Sequence, residues 1–428
     1  MKIEAARPLM GRRLLVAVTG SIAAVKTPLL VSALIKAGAE VRCLVTPSAA
    51  RLVSPVALAS LSRHRCYQDE DQWNSSEPRP LHVALAEWAE LVIVAPLSAT
   101  SLARWTQGLA EGLLASLLLA CERPVLAAAA MNTAMWSNPA VRRNWQELQT
   151  DPRVLPLAPE SGLLACDRIG DGRMADPKLI ELAVVSGLLQ ADETGRLQRD
   201  WQGRRLLVTA GSTVEVLDPA RLLINRSSGR MGVLLAQAAR LRGAQVDLVH
   251  GPLKLPVAWL EGLAAYPVTS ADEMQDMLAQ LQSKADAVAM AAAVADVRRV
   301  NPAQTEKLSK DCLLQSFSQG WEQVPDLLAE LVLRRPVGQV LLGFAALTGN
   351  EAQIQQLGEE KRLRKGCDLL MANPIDRPGQ GFEEDFNGGW LLSAGGSVRS
   401  LPVTSKLALA HQLLDAILEV QVVISTPS

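Results

Sequence analysis

The chain has 428 residues, too many for one ordinary hydrophobic core and enough for two or three. Hydrophobic residues make up 49% and charged residues 20%, the mixture of a soluble globular protein. A formal net charge of -1 argues against a nucleic-acid binder, which would normally show a strongly basic face, and no apolar run approaches the ~20 residues that cross a bilayer.

The first predicted strand lies in GRRLLVAVTGS at 11–21. Arg12 and Arg13 ahead of LLVAV imitate a secretion signal, but the apolar part is short and nearly the same text, GRRLLVTAGST, recurs at 203–213. Each copy is a continuous apolar run closed by Gly and Ser, the pattern of a buried parallel strand turning into a helix. After each comes a helical stretch, then a second strand opened by Gly-Ala: AGAEVRCLV at 37–45 and RGAQVDLV at 242–249. Strand, helix, strand is a βαβ unit. The expected fold class is therefore α/β, with two tandem doubly wound, Rossmann-like domains of mainly parallel sheet. Their expected limits are 1–189 and 203–428. The polar, aperiodic stretch 190–202 is expected as the linker.

Ligands of open α/β sheets sit beyond the carboxyl ends of the strands, where helix N-termini offer free N–H groups. Both Gly-Ser turns are candidate phosphate sites or simply tight turns, and the short motif does not choose. A dinucleotide site wants G-x-G-x-x-G and an acid at the end of the second strand. The front half has Gly20 alone, and its second strand ends Val45-Thr46-Pro47-Ser48, with hydroxyls where the carboxylate should stand. That suits the single phosphate of flavin mononucleotide (FMN) and suits NAD poorly.

Other features stay ambiguous by themselves. His82 is a lone histidine near a turn, and Cys166 is an isolated cysteine among glycines. Met131 and Met135 share a helical face and read equally as core. In the rear half there is no P-loop. Lys361 and Lys365 stand four apart on a predicted helix, either clamping a triphosphate or simply solvated. Six cysteines without a CxxC pair and four scattered histidines predict no metal framework, and point to reduced thiols in a cytoplasm.

Several motifs in order carry a resemblance. Gly20-Ser21-Ile22-Ala23-Ala24-Val25-Lys26 resembles the GSIAAYK signature of the flavin-dependent cysteine decarboxylases, with Val25 for Tyr. Ala130 to Trp136 is similar to their PxMNxxMW motif, with Ala129 for the proline. Pro96-Leu97-Ser98-Ala99-Thr100 stands for PASANT. His82 matches the family's active-site histidine, and Cys166 with Gly170-Asp171-Gly172-Arg173 matches its substrate-covering loop. The resemblance implies FMN contacts at Gly20, Ser21, Ile22, Ala23, Ser48, Pro96, Ser98 and Met131. It implies substrate contacts at Asn132 and Met135, with Asn132 on the carboxylate. His82 would work at the flavin and Cys166 would donate the final proton. The implied reaction oxidises a cysteine thiol so that the neighbouring carboxylate can leave as CO2, then reduces the product again.

The rear half resembles the phosphopantothenate–cysteine ligases over most of 203–416. Asp218 to Gly232 is similar to DPVRxISNxSSGxMG, and Ala291 to Asp296 to the AAVAD strand end. Glu306 to Lys310 resembles EKIKK with Ser309 for Lys, and Gly343 to Thr348 resembles GFAAET with Leu347 for the acid. The resemblance implies CTP, carried with Mg2+, at Asp296, Lys307, Phe344, Lys361, Lys365 and Asn373, with the metal ligands unassigned. It implies substrate contacts at Arg221 and Asn225, with Asn225 and Lys307 serving an acyl-cytidylate and its conversion. Together the halves imply a bifunctional chain of coenzyme A biosynthesis acting on phosphopantothenate, cysteine and CTP. Homo-oligomers are expected, with decarboxylase trimers and ligase dimers, and neither nucleic acid nor membrane as partner. A tandem nicotinamide oxidoreductase and a non-catalytic flavoprotein with a regulatory role remain the alternatives.

Overall fold

The computed structural model describes residues 7–75, 78–163, 169–300 and 307–425. The chain divides into two units between Arg199 and Asp200.

In the front unit the apolar runs become Arg13–Val18 (β1), Glu40–Val45 (β2), Cys66–Tyr67 (β3), Leu91–Leu97 (β4), Val125–Ala129 (β5) and Val154–Leu157 (β6). They form one parallel sheet in the order β3-β2-β1-β4-β5-β6, so the topology reverses between β1 and β4. Every residue of β4 and β5 is buried because both sheet faces are covered. Val92 and Val94 face a core that includes Leu81, Leu85, Leu113 and Leu117. Leu91, with the opposite orientation, meets the helix Pro177–Gln190 at Gly187. An antiparallel hairpin, Glu160–Leu163 (β7) and Ile169–Arg173 (β8), follows the sheet. The residues joining it, 164–168, include Cys166 and lie outside the described residues.

The cysteines are distant in sequence, but the fold brings one pair together. Cys43 and Cys66 are register partners on β2 and β3. Both are free thiols, and burial pushes each up to about 12.

The rear unit opens with Arg205–Ala210 (β9), Val214–Asp218 (β10), Arg221–Ile224 (β11), Gln245–His250 (β12), Ala264–Pro267 (β13) and Ala287–Met290 (β14). Val297–Arg299 (β15) and Trp321–Gln323 (β16) follow, then Val340–Leu347 (β17), Leu369–Pro374 (β18), Phe386–Ser393 (β19) and Val398–Ser405 (β20). The main sheet runs β13-β12-β9-β14-β17-β18-β19-β20. It is parallel as far as β18 and antiparallel for its last two strands. Its reversal point lies between β9 and β14.

One expectation needs correction here. The two copies of the repeated phrase do not continue alike. The front copy passes from Ser21 through a short 3-10 turn into the helix Thr27–Lys36. The rear copy first makes the antiparallel β10–β11 hairpin and only then enters the helix Arg230–Leu241.

The stretch 190–202 is folded rather than open. Ala191 bridges to Leu197, and Asp192 Oδ1 accepts from the N–H groups of Thr194 and Arg196. Arg199 donates to the carbonyls of Asp151 at 2.9 Å and Val154 at 2.7 Å, within the front unit. Asp200 instead belongs to the rear unit, where it and Asp415 flank the fully buried guanidinium of Arg242 at 2.5 and 2.6 Å. A buried cation needs such partners, because desolvation alone would be prohibitive.

Candidate functional sites

The front site is a cleft of about 550 Å3 at the β1/β4 reversal, where an open sheet leaves room beyond its strand ends. Gly20, Ser21, Ile22, Ala23, Val25 and Lys26 form one wall. Ser98 to Thr100, at the start of the helix Ala99–Thr106, form a second, with Ser98 as N-cap. Ala130 to Asn132 and Met135 form a third, and Gly172 to Met174 of the hairpin close the side.

Local chemistry builds these walls. A Cβ on Gly20 would stand 2.6 Å from Ser48 Cβ, so the turn tolerates only glycine at this distance from the end of β2. Thr19, fully buried, donates to Pro96 O at 2.7 Å and accepts from Ser98 N–H at 2.8 Å, bracing the two strand ends against each other. Thr27 donates to Ala95 O at 3.0 Å, and the Ala95–Pro96 peptide between these bonds is cis. Asn132 caps the helix Thr133–Trp136 by accepting from Ala134 N–H at 2.8 Å. The cap uses the acceptor end of that side chain. Met131 N–H donates to Gly172 O at 3.1 Å and ties β8 beside it.

Of the residues singled out in the sequence, Gly20, Ser21, Ile22, Ala23, Ser98, Met131, Asn132 and Met135 line this one cleft. Ser48 and Pro96 do not; they back the wall, Ser48 behind Gly20 and Pro96 held by Thr19. His82 is the second residue of the helix Leu81–Trp88 and is not among the lining residues of its own chain's cleft. Cys166 falls on undescribed residues. Three further side chains shape the cleft without having been singled out in the sequence. Lys26 and Arg173, each inside one of the sequence motifs, both line the cleft and bring two positive charges to its wall. Thr19 gave no signal beyond its place before Gly20. The fit to FMN is good: a mainly apolar slot with two cations, a helix N-terminus and a glycine-lined turn.

In the rear unit the corresponding turn behaves differently. Ser212 is fully buried; its hydroxyl bonds Ala293 O at 3.1 Å and accepts from Asn225 N–H at 3.1 Å. The reading of this Gly-Ser bend as a phosphate contact is therefore corrected at the side chain, because the β10–β11 hairpin brings Asn225 over it. Asn225 itself donates through Nδ2 to Ala293 O at 3.3 Å and Val294 O at 3.2 Å, which joins the end of β11 to the AAVAD segment. Thr213 accepts from Ala295 N–H at 2.9 Å, and the exposed Asp296 follows at once.

The glycines keep these segments in contact. Gly229, in the left-handed region, lies where a Cβ would stand 2.2 Å from Leu253 and 3.1 Å from the backbone of Gly211.

Phe344 and Asn373 lie on adjacent strands, Phe344 paired with Met371 and Asn373 with Ala346. Lys361 and Lys365 share the helix Glu351–Lys365 that joins those strands. Burial, with Lys365 and Arg364 nearby, pushes the Lys361 ammonium below its ordinary pKa, while Asp296 opposes the shift. Lys365 is already paired, with its Nζ 3.1 Å from Asp326 Oδ1. Lys307 is exposed, next to Leu308, whose N–H donates to Asp218 Oδ2 at 3.3 Å. Arg221 pairs with the same carboxylate at 2.7 Å. Burial opposes ionisation of Asp218, but the N–H groups of Ala220 and Leu308 and the Arg221 guanidinium outweigh it and hold the carboxyl below its usual range. Among the described residues no three His, Cys, Asp or Glu side chains converge as a metal cage. Magnesium would fit here only as the companion of a triphosphate, with Asp296 beside it. The side chain of the buried Leu347, where the family pattern has an acid, offers no oxygen.

Comparison with known proteins accounts for both halves. A family model described as the DNA/pantothenate metabolism flavoprotein C-terminal domain matches residues 201–421, and one described as flavoprotein matches 2–188. The coenzyme A biosynthesis bifunctional protein CoaBC of Bacillus subtilis (strain 168) is 36% identical over 415 residues, covering 96% of this chain and 97% of its own length. Its counterpart from Mycobacterium tuberculosis (strain ATCC 25618 / H37Rv) is 37% identical over 422 residues, 95% of this chain and 96% of that protein. The protein of the same name from Escherichia coli (strain K12) is 35% identical over 415 residues, 96% and 97% respectively. With a two-site α/β architecture and matches running nearly end to end, the chain belongs to the family of coenzyme A biosynthesis bifunctional proteins.

Proposed function

We propose that the rear unit joins 4'-phosphopantothenate to cysteine with CTP and Mg2+, and that the front unit decarboxylates the resulting 4'-phosphopantothenoylcysteine to 4'-phosphopantetheine with FMN. As a member of its family the chain is a bifunctional enzyme of coenzyme A biosynthesis, a decarboxylase in front and a ligase behind. The observation that carries the finer reading is the meeting of Asn132, Lys26, Arg173 and the Gly20–Ala23 turn around one cleft.

Bound FMN would supply the two-electron acceptor that makes loss of CO2 from a cysteine possible. The protein's share is positioning. Lys26 and Arg173 neutralise phosphate, and Asn132 donates to the substrate carboxylate. Ile22, Met131 and Met135 make the slot apolar, which favours conversion of a charged carboxylate into neutral CO2. Cys166, which falls between β7 and β8 in the sequence, delivers the last proton. His82 reaches the reacting thiol from a neighbouring copy, consistent with its place outside its own chain's cleft; this requires a homo-oligomer, a trimer of front units. Dimers are proposed for the rear units.

In the rear unit, attack of the phosphopantothenate carboxylate on the α-phosphorus of CTP releases pyrophosphate. The cysteine amine then displaces CMP. Lys361, Lys365 and Lys307 neutralise charge, Asp296, Phe344 and Asn373 border the nucleotide, and Arg221 and Asn225 frame the acyl group. No described helix is long and apolar enough to cross a membrane. The substrates are soluble small molecules and the five described cysteines are free, which supports placing the enzyme in the cytoplasm.

Incubation of the pure chain with phosphopantothenate, cysteine, CTP and Mg2+ should release CMP, pyrophosphate and CO2 in equal amounts. Colourless protein that does not bind added FMN would remove the front assignment, and absence of CMP would remove the rear one.

A further inference from the structure

The β10–β11 hairpin holds two parts of the ligase site at once. Beyond β11 it presents Asn225, and at its own turn it carries Asp218 and Arg221. Asp218 has no solvent exposure. Its Oδ1 accepts from Ala220 N–H at 2.8 Å, which closes the turn. Its Oδ2 accepts from Arg221 Nη1 at 2.7 Å and from Leu308 N–H at 3.3 Å. The same Arg221 nitrogen lies 3.4 Å from Leu308 O. Both backbone groups of Leu308 are thus taken by one ion pair 90 residues away in sequence. On the other side, Ser309 Oγ accepts from Cys312 N–H at 3.3 Å in the first turn of the helix Lys310–Ser316. The chain is pinned on the carboxyl side of Lys307, at two successive residues.

We propose that Asp218 is a positioning residue of the ligase, which grips Leu308 and thereby sets the direction in which Lys307 reaches the acyl-transfer site. The proposal rests on the reading of Lys307 as a ligase residue given above. A carboxylate is the right group for this task. Three donors converge on it, and only the ionised form offers acceptors to all three without a proton of its own between them. Asparagine would keep one oxygen and turn an NH2 group toward either Ala220 N–H or the Leu308–Arg221 pair. Arg221 takes its place as Asp218's partner, its charge serving to hold Leu308 rather than acting alone.

The test is a double-mutant cycle on the full chain, followed by CMP release with phosphopantothenate, cysteine, CTP and Mg2+. Lys307→Gln and Asp218→Asn should each lower kcat, Asp218→Asn by about tenfold to a hundredfold, as expected when a reacting group is displaced by about an ångström. KM for CTP should stay within about twofold, because the lysine is misdirected and not removed. In the Lys307→Gln background, Asp218→Asn should cost nothing further. Equal slowing in both backgrounds would overturn the proposal, since Asp218 would then be acting through the general stability of the unit. So would an Asp218→Asn chain as fast as the parent. If Lys307→Gln itself leaves the ligase untouched, the reading of Lys307 fails first and the proposal falls with it. Should Asp218→Asn not fold, amide exchange in the parent chain decides: Leu308 N–H must be protected, and free exchange there overturns the grip.

Discussion

Thr19 and Pro96, 77 residues apart, are joined by a 2.7 Å hydrogen bond from the threonine hydroxyl to the proline carbonyl. The same oxygen accepts from Ser98 N–H at 2.8 Å. One buried hydroxyl therefore satisfies two backbone groups at the end of β4, beyond the last β1–β4 pair, Ala17 with Val94. Thr19→Val keeps the shape and removes both bonds. Leaving buried polar groups unpaired costs about 1–3 kcal/mol. Thermal unfolding of the front unit should shift down accordingly, and FMN retained per chain should fall. Thr19→Ser should restore both, since the hydroxyl carries the effect. A valine variant with full flavin and unchanged melting would refute the brace.

Gly20 and Ser48 make the second prediction. A methyl group on residue 20 would stand 2.6 Å from Ser48 Cβ, well inside contact distance. Gly20→Ala should weaken FMN binding by about tenfold or more, the effect of ~1–3 kcal/mol of overpacking. Removing the obstacle tests the cause. Gly20→Ala combined with Ser48→Gly should recover much of the lost affinity, as measured by flavin fluorescence titration. If the double variant binds no better than Gly20→Ala alone, the crowding lies elsewhere.

Much of this was legible in the sequence, for definable reasons. The repeated strand text announced two mainly parallel sheets because buried central strands must be continuously apolar. The motifs at 20–26, 96–100 and 130–136 gathered into one cleft because each lies at the carboxyl end of a strand, the place where a doubly wound sheet collects its loops. What stayed hidden depended on pairs far apart in the chain. Nothing near Leu308 names Asp218 as its partner, and nothing near Lys365 names Asp326. Local text also misled where an insertion changed the neighbourhood. Ser21 and Ser212 occupy equivalent places in the repeat, but the hairpin at 214–224 buries Ser212, while Ser21 faces the cleft. Lys26 and Arg173 were visible as letters, and only the closed geometry of the cleft gave them a task.

The rear unit should lose stability in acid through His411. This imidazole is buried on the helix Lys406–Ser425, next to Arg242, whose Nη1 donates to His411 O at 3.2 Å. Burial and then the Arg242 charge push its pKa from 6.5 down to about 3. The unfolded histidine therefore takes up a proton near pH 6.5, and the folded one does so only near pH 3. Between these values the unfolded chain binds one proton more, so stability falls as pH falls, by roughly 1.4 kcal/mol per unit. His411→Gln should flatten that slope in urea titrations at pH 4, 5 and 6, whatever its effect at neutral pH. A slope as steep as the parent's would assign the acid sensitivity to other groups.

The last prediction concerns competition for a cation. Lys365 is the C-terminal member of the proposed triphosphate pair, yet its ammonium already lies 3.1 Å from Asp326 Oδ1. That oxygen also accepts from Ala329 N–H at 3.3 Å as the N-cap of the helix Leu327–Arg334. Asp326→Asn preserves an oxygen for the cap and removes the charge that competes with phosphate for Lys365. If the lysine must leave Asp326 to meet CTP, the variant should lower KM for CTP by about two- to fivefold, the scale of a partly exposed pair worth up to ~1 kcal/mol. The gain should shrink in high salt, which screens the competing carboxylate in the parent. Lys365→Ala should raise KM and make Asp326→Asn silent, because no cation is left to release. An asparagine variant that lowers KM even without Lys365 would mean that its carboxylate repels the nucleotide directly, and the pair would then be a surface contact with no part in binding.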